Sequence, residues 1–199
     1  MKNNIIHAPL ILASASPRRL ELLKRINITP TKIIPADIDE SEKPKEHPKD
    51  VALRLATEKA QKIYKENKSE NTFILAADTV VACGRLTLPK GETEQDARYC
   101  LNRLSGRAHR IYTGHCVITP KGKEKSYCVE TRVKFKRLSQ QEIEHYIASN
   151  EWEGKAGAYG IQGLAEAFVK SITGSHSNIV GLSLYDTMNT LSGLEFFKP

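Results

Sequence analysis

The apolar run Leu10-Ile11-Leu12-Ala13 stops at Ser14-Ala15-Ser16, and Pro17 opens a stretch in which Leu20, Leu22, Leu23 and Ile26 recur at near-helical spacing. Strand-forming residues, a break and a proline at a helix start predict a strand, a tight loop and a helix. In open α/β sheets that junction is where ligands bind. Arg18 and Arg19 open the helix, where the peptide dipoles already gather positive charge. Two cations there are unfavourable unless an anion occupies the loop, so the stretch reads as a phosphate cradle. The competing reading is a pair of solvated surface arginines. The loop is neither a Walker A motif nor G-x-G-x-x-G, because it lacks the glycines of both.

A second feature is the nearly unbroken apolar run from Thr72 to Val81, which predicts a central strand buried on both faces. Asp78 falls inside it. Burying a carboxylate is costly unless it is paired or bound to a cation, so Asp78 is either a salt-bridge partner of some arginine or a functional acid.

Between these features, Ile33-Ile34-Pro35 predicts a short edge strand, and Pro44 and Pro48 punctuate a polar loop. Ala52, Leu55, Ala56 and Ile63 mark an amphipathic helix from Lys49 to about Asn67, with Lys59 near its buried edge. Gly84 to Leu88 is expected to turn the chain. Thr93 caps a helix carrying Ala97, Cys100, Leu101 and Leu104, which stops at Ser105-Gly106. Ala108 to Thr119 and Glu124 to Leu138 form a predicted antiparallel hairpin, its Lys121 to Lys125 tip solvated. Ser139 and Glu142 make a capping box for a helix with Ile143, Tyr146 and Ile147. Trp152 is expected in the core or as a loop anchor, with stacking on a base as the alternative. The glycine-rich segment Lys155 to Gly163 is either an irregular loop or a place where backbone approaches a ligand closely. A strand over Ala167 to Ile172, a turn over Gly174 to Asn178 and a helix over Ser183 to Leu191 complete the pattern.

A length of 199 residues suits one compact domain over 1–199. The net charge of +7 suits a polyphosphate substrate and a nucleic-acid surface equally. Cys83, Cys100, Cys116 and Cys128 are scattered without a C-x-x-C pair, which argues against a zinc site or disulfide framework and for reduced thiols in the cytoplasm. Lys2 and the apolar residues to Ala13 faintly mimic a signal peptide, but His7 and Pro9 interrupt them and cleavage would remove the first strand. No segment is long enough to span a membrane.

The chain resembles the Maf family of nucleoside triphosphate pyrophosphatases from about Leu10 to Thr187. The motifs that carry the resemblance are Ser14-x-Ser16-Pro17-Arg18-Arg19, Asp37-Ile38-Asp39-Glu40, Arg54-Leu55-Ala56 with Lys59-Ala60, Ala77-Asp78-Thr79-Val80-Val81, Leu104-Ser105-Gly106 with His109 and Thr113-Gly114, and Lys155 to Gly163. It implies an α/β domain with a twisted mixed β-sheet, flanking helices and a central cleft, similar to inosine triphosphate pyrophosphatase. It also implies hydrolysis of a nucleoside triphosphate between the α and β phosphates, with a divalent cation, Mg2+ or Mn2+.

By the family pattern Asp78 is the catalytic base and shares the metal with Glu40. Ser14, Ser16, Arg18, Arg19, Lys59 and Lys90 meet the phosphates. Arg18, Thr79 and Gln162 fall at positions that distinguish dTTP and UTP hydrolases, and a glutamine amide can pair with a pyrimidine edge. For Glu40 the alternative is a solvated loop carboxylate, and for Lys59 a lysine that snorkels to water. The chain departs from the family at Leu88-Pro89-Lys90-Gly91, where many members have Gly-Lys-Pro, and Lys90 is expected to act from a reshaped loop. His109 and His176 read as structural. The resemblance further implies a possible homodimer and no stable nucleic-acid partner. A broad triphosphate pyrophosphatase and a non-catalytic regulator of cell division are the alternatives, and a phosphate-binding module without a metal gains nothing from Asp78.

Overall fold

The computed structural model describes residues 7–68 and 71–197. Its first strand, β1 (Leu10–Leu12), is fully buried and leads through Ser14 to Ser16 into α1 (Pro17–Arg25), with Pro17 at the helix start. The edge strand β2 (Lys32–Ile33) pairs in parallel with β1. The helix α2 (Pro48–Glu66) buries Val51, Ala52, Leu55, Ala56, Lys59, Ala60 and Ile63 along one face. Lys59 is therefore an inward position, three residues after Ala56 and seven after Ala52.

The central strand β3 (Phe73–Cys83) has β1 on one side in parallel register, with Leu12 opposite Leu75. On its other side β5 (Ala108–Ile118) runs antiparallel, with Asp78 opposite Gly114 and Thr79 opposite Thr113. β6 (Glu124–Phe135) and β7 (Val169–Thr173) continue the sheet in the order β2-β1-β3-β5-β6-β7. The expected turn over Gly84 to Leu88 also contains a short strand, β4 (Leu86–Leu88), folded back on β3. Gly84 has φ of 69°, which makes the two-residue reversal possible.

The helix α3 (Glu94–Leu104) is closed by Thr93 and Asp96, and α4 (Gln140–Ala148) by Ser139 and Glu142, each pair forming a reciprocal capping box. Their inward faces, Ala97, Cys100, Leu101 and Leu104 with Ile143, Tyr146 and Ile147, share the main core. Trp152 belongs to that core, its indole N–H donating to the Ile147 carbonyl at 2.9 Å.

Several predicted elements change: the edge strand is Lys32–Ile33 rather than Ile33 to Pro35, and β6 ends at Phe135 rather than Leu138. A short 3-10 helix over Leu164–Phe168 precedes β7, so the last strand begins at Val169 rather than Ala167. The segment expected as a turn holds a five-residue helix, α5 (His176–Val180), because the buried Asn178 amide donates to the Val129 carbonyl and the Thr131 hydroxyl of β6. The last helix is α6 (Leu184–Gly193). All four cysteines are free thiols. Among the described residues no helix is long and apolar enough to cross a membrane. Lys2 lies outside the described residues.

One close approach sets the architecture of the cleft. A Cβ on Gly114 would stand 2.0 Å from the Ala52 carbonyl oxygen, so the backbone of α2 rests directly on β5. Only glycine permits that contact.

Candidate active site

The loop after β1, the strand β3, the loop before α2 and the glycine-rich segment converge on a cleft of about 730 Å³. It is lined by all the candidate site residues: Ser14, Ser16, Arg18, Arg19, Glu40, Lys59, Asp78, Thr79, Lys90 and Gln162. A volume of this size suits a small organic ligand.

At the centre lies an alternating chain of charges. Lys59 Nζ stands 2.6 Å from Asp78 Oδ1 and 2.6 Å from Glu40 Oε1, and Lys90 Nζ stands 2.6 Å from Glu40 Oε2. Asp78 therefore pairs with a lysine, not with an arginine as one reading allowed. Lys59 does not snorkel; its side chain is buried beside Asp78. Glu40 is held between two ammonium groups rather than solvated alone. Burial of the Glu40 carboxyl opposes its charge, but hydrogen bonds from Lys59 and Lys90 outweigh burial and bring it down to about 2.

The loop bearing Glu40 is itself anchored. Arg54 of α2 donates to Glu46 at 2.7 and 2.8 Å and to the Ser41 carbonyl at 3.0 Å, while Lys62 donates to the Asp37 carbonyl. Two paired hydrogen bonds from one guanidinium fix the loop in orientation as well as position.

Arg19 is fixed by three elements at once. Its Nη1 donates to Ser14 Oγ at 2.8 Å, its Nη2 to Thr79 Oγ1 at 3.2 Å and its Nε to the Gly181 carbonyl at 2.9 Å. Thr79 Oγ1 lies 3.1 Å from Thr113 Oγ1, which donates to the Asn178 carbonyl at 3.0 Å. Ser14 Oγ also accepts from the Ser16 N–H at 3.2 Å, which leaves the Ser14 hydroxyl proton available to a ligand. Burial lowers the Arg19 guanidinium from its ordinary range, Asp78 opposes that shift, and Arg18 adds to it. Burial likewise lowers Arg18, with Glu21 opposing.

The Pro89–Gly91 stretch joins the glycine-rich segment, Gly91 N–H donating to the Lys155 carbonyl at 3.0 Å and Gly157 N–H to the Pro89 carbonyl at 3.0 Å. That seam carries Lys90 to Glu40. Gly157 has φ of 66° and a Cβ on it would meet Val81 at 2.8 Å, so this segment packs against β3 beside Asp78. Gln162 is exposed at the cleft. His109 is a buried structural residue, 2.8 Å from the Tyr159 hydroxyl, and His176 is exposed at the start of α5.

Among the described residues no three His, Cys, Asp or Glu side chains gather where they could hold a metal ion alone. Two carboxylates do converge, with one ammonium between them. Sequence reasoning did not single out Asn178, Gly181 and Lys155. Folding alone brings the Gly181 carbonyl to Arg19 and the Asn178 carbonyl to Thr113 beside Thr79, whereas Lys155 carried a signal as the residue that opens the glycine-rich run.

The fold and sequence both have relatives. A dTTP/UTP pyrophosphatase from Mesorhizobium japonicum is 58% identical over 193 residues, covering 95% of this chain and 92% of that protein. A dTTP/UTP pyrophosphatase from Caulobacter vibrioides is 53% identical over 187 residues, covering 94% and 96%. A solved HAM1 protein from Coxiella burnetii superposes with a TM-score of 0.51 at 16% identity, covering 94% of this chain and 99% of that one, and shows the shared fold. The family model described as Maf-like protein matches residues 9–194. With the match spanning the whole cleft, the chain belongs to the Maf-like protein family.

Proposed function

We propose that this protein hydrolyses nucleoside triphosphates between the α and β phosphates, releasing a nucleoside monophosphate and pyrophosphate, with dTTP and UTP preferred. The observation that carries this reading is the Lys59 ammonium, 2.6 Å from both Asp78 and Glu40 in a cleft that also holds Arg18 and Arg19. A site for passive phosphate binding has no use for two acids at its centre.

In the proposed reaction a water attacks the α phosphorus and gives its proton to the Asp78 carboxylate, while the bond from the α phosphorus to the bridging oxygen breaks and pyrophosphate leaves. Arg18 and Arg19 neutralise phosphate oxygens through planar forks, and Ser14 donates its free hydroxyl proton to one of them. Lys59 keeps Asp78 oriented, and Lys90 does the same for Glu40. The donor set fits a divalent cation, since Mg2+ or Mn2+ takes one or two carboxylates and completes its shell with substrate oxygens and water. Asp78 and Glu40 would hold it, and it would withdraw charge from the phosphate oxygens.

The base preference is supported by Thr79 and Gln162 on the cleft wall and by the names of the relatives. The test is a panel of purine and pyrimidine triphosphates incubated with Mg2+ or Mn2+, following pyrophosphate and inorganic phosphate separately. Pyrophosphate from dTTP and UTP is the expected product. Inorganic phosphate as the first product would overturn the cleavage position, and faster turnover of purines the base preference.

A further inference from the structure

Four cations were expected at the phosphates, and two of them are already neutralised: Lys59 by Asp78 and Glu40, and Lys90 by Glu40. Lys155 differs. It lines the same cleft, is partly buried, and makes no side-chain hydrogen bond or ion pair among the described residues. Glu151 and Glu153 attract it through space only. The Glu151 carboxylate is engaged elsewhere, accepting from the Leu164 N–H at 2.8 Å.

Its backbone is pinned, the Lys155 carbonyl accepting from Gly91 N–H at 3.0 Å and Ala158 N–H at 2.9 Å. Its stem runs over Gly160, where a Cβ would come within 2.8 Å of Lys155 Cε. A glycine at that position leaves a track for the lysine stem. Arg18 lines the same cleft and also has no hydrogen bond or ion pair among the described residues, Glu21 attracting it only through space. Burial, and after it the Arg18 charge, lower the Lys155 ammonium from its ordinary range. Two unpaired like charges in one concavity are unfavourable until an anion joins them.

We propose that Lys155 is a further phosphate-binding residue, which holds the polyphosphate of the substrate from the glycine-rich segment while Arg18 holds it from the start of α1. The inference rests on the reading of this cleft as a triphosphate site. A lysine suits the task as a mobile point charge that follows the anion as the phosphates separate.

The test uses pyrophosphate binding by calorimetry, which needs no turnover, beside KM and kcat for UTP. Lys155→Ala is expected to weaken pyrophosphate binding and raise KM by about tenfold or more, the size of one lost charge-assisted contact. Lys155→Arg should recover most of that loss. Lys155→Met keeps a stem over Gly160 without the charge, so it should bind as poorly as the alanine variant. Pyrophosphate affinity unchanged in Lys155→Ala, or restored in Lys155→Met, would overturn the proposal. If the wild-type protein binds pyrophosphate through Lys155 but releases none from any triphosphate, the reaction assigned above fails and the anion site stands.

Discussion

The Lys59 ammonium and the Asp78 carboxylate meet at 2.6 Å across the contact between α2 and β3. The lysine reaches inward because its helix rests on Gly114, the residue paired with Asp78 on the neighbouring strand. One glycine thus brings a buried carboxylate and the ammonium that pairs with it together.

Asp78→Asn should reduce turnover by roughly a hundredfold to ten-thousandfold, the range for loss of a positioned general base. Nucleotide binding should persist, since Arg18, Arg19 and Ser14 remain. Rapid-quench kinetics with isothermal titration of the nucleotide separates the two effects, and an unchanged rate would remove Asp78 from the base role.

Lys59→Met leaves two carboxylates facing each other, with Asp78 buried and no longer paired. A loss of about 3 kcal/mol in urea unfolding is expected, at the lower end for a broken buried ion pair because Glu40 is partly exposed. Mn2+ should raise the melting temperature of this variant more than that of the wild type. Equal melting of the two proteins without metal would show that the pair adds nothing to stability.

Gly114→Ala should push α2 away from β5, because the new methyl would lie 2.0 Å from the Ala52 carbonyl oxygen. Overpacking of this kind costs about 1–3 kcal/mol or more. The kcat should fall with stability, whereas a fully active, equally stable variant would mean that the helix does not set the Lys59 position.

Two buried histidines predict an acid limit to stability. Burial lowers His109 to about 4, and burial with the Arg19 charge lowers His115 to about 3, against an ordinary value of 6.5. The unfolded chain therefore takes up protons below about pH 6.5 that the folded chain refuses, so stability is complete above that pH and is lost as pH falls toward 4 and 3. Each contributes a slope of at most about 1.4 kcal/mol per pH unit. His115 Nε2 accepts from the Ser183 N–H at 3.0 Å, a bond that protonation of this nitrogen would break. Unfolding midpoints between pH 7 and pH 5 should slope down in the wild type and about half as steeply in His115→Gln, where His109 alone remains.

Much of this molecule is written in short segments. The serines before Pro17, the Thr93 and Ser139 caps and the spacing of Ala97, Cys100, Leu101 and Leu104 identify their elements without knowledge of the rest of the chain. The short helix at Asn178 was not legible that way, since the groups that hold it lie on β6, dozens of residues away.

The sequence by itself determined the alternation of strands and helices and the inward face of α2, because capping, turn chemistry and hydrophobic period act between near neighbours. It marked Asp78 and the Arg18-Arg19 pair by their unusual settings, and the other candidate site residues only through the resemblance to the Maf family. Only the tertiary structure decided that Asp78 pairs with Lys59, that Arg19 rather than Arg18 holds Thr79, and that Lys155 enters the cleft unpaired. Those choices depend on how closely α2 lies on β5 and where the glycine-rich segment meets Pro89–Gly91. An ion pair forms between whichever charges packing brings within reach, and no local spacing records that distance.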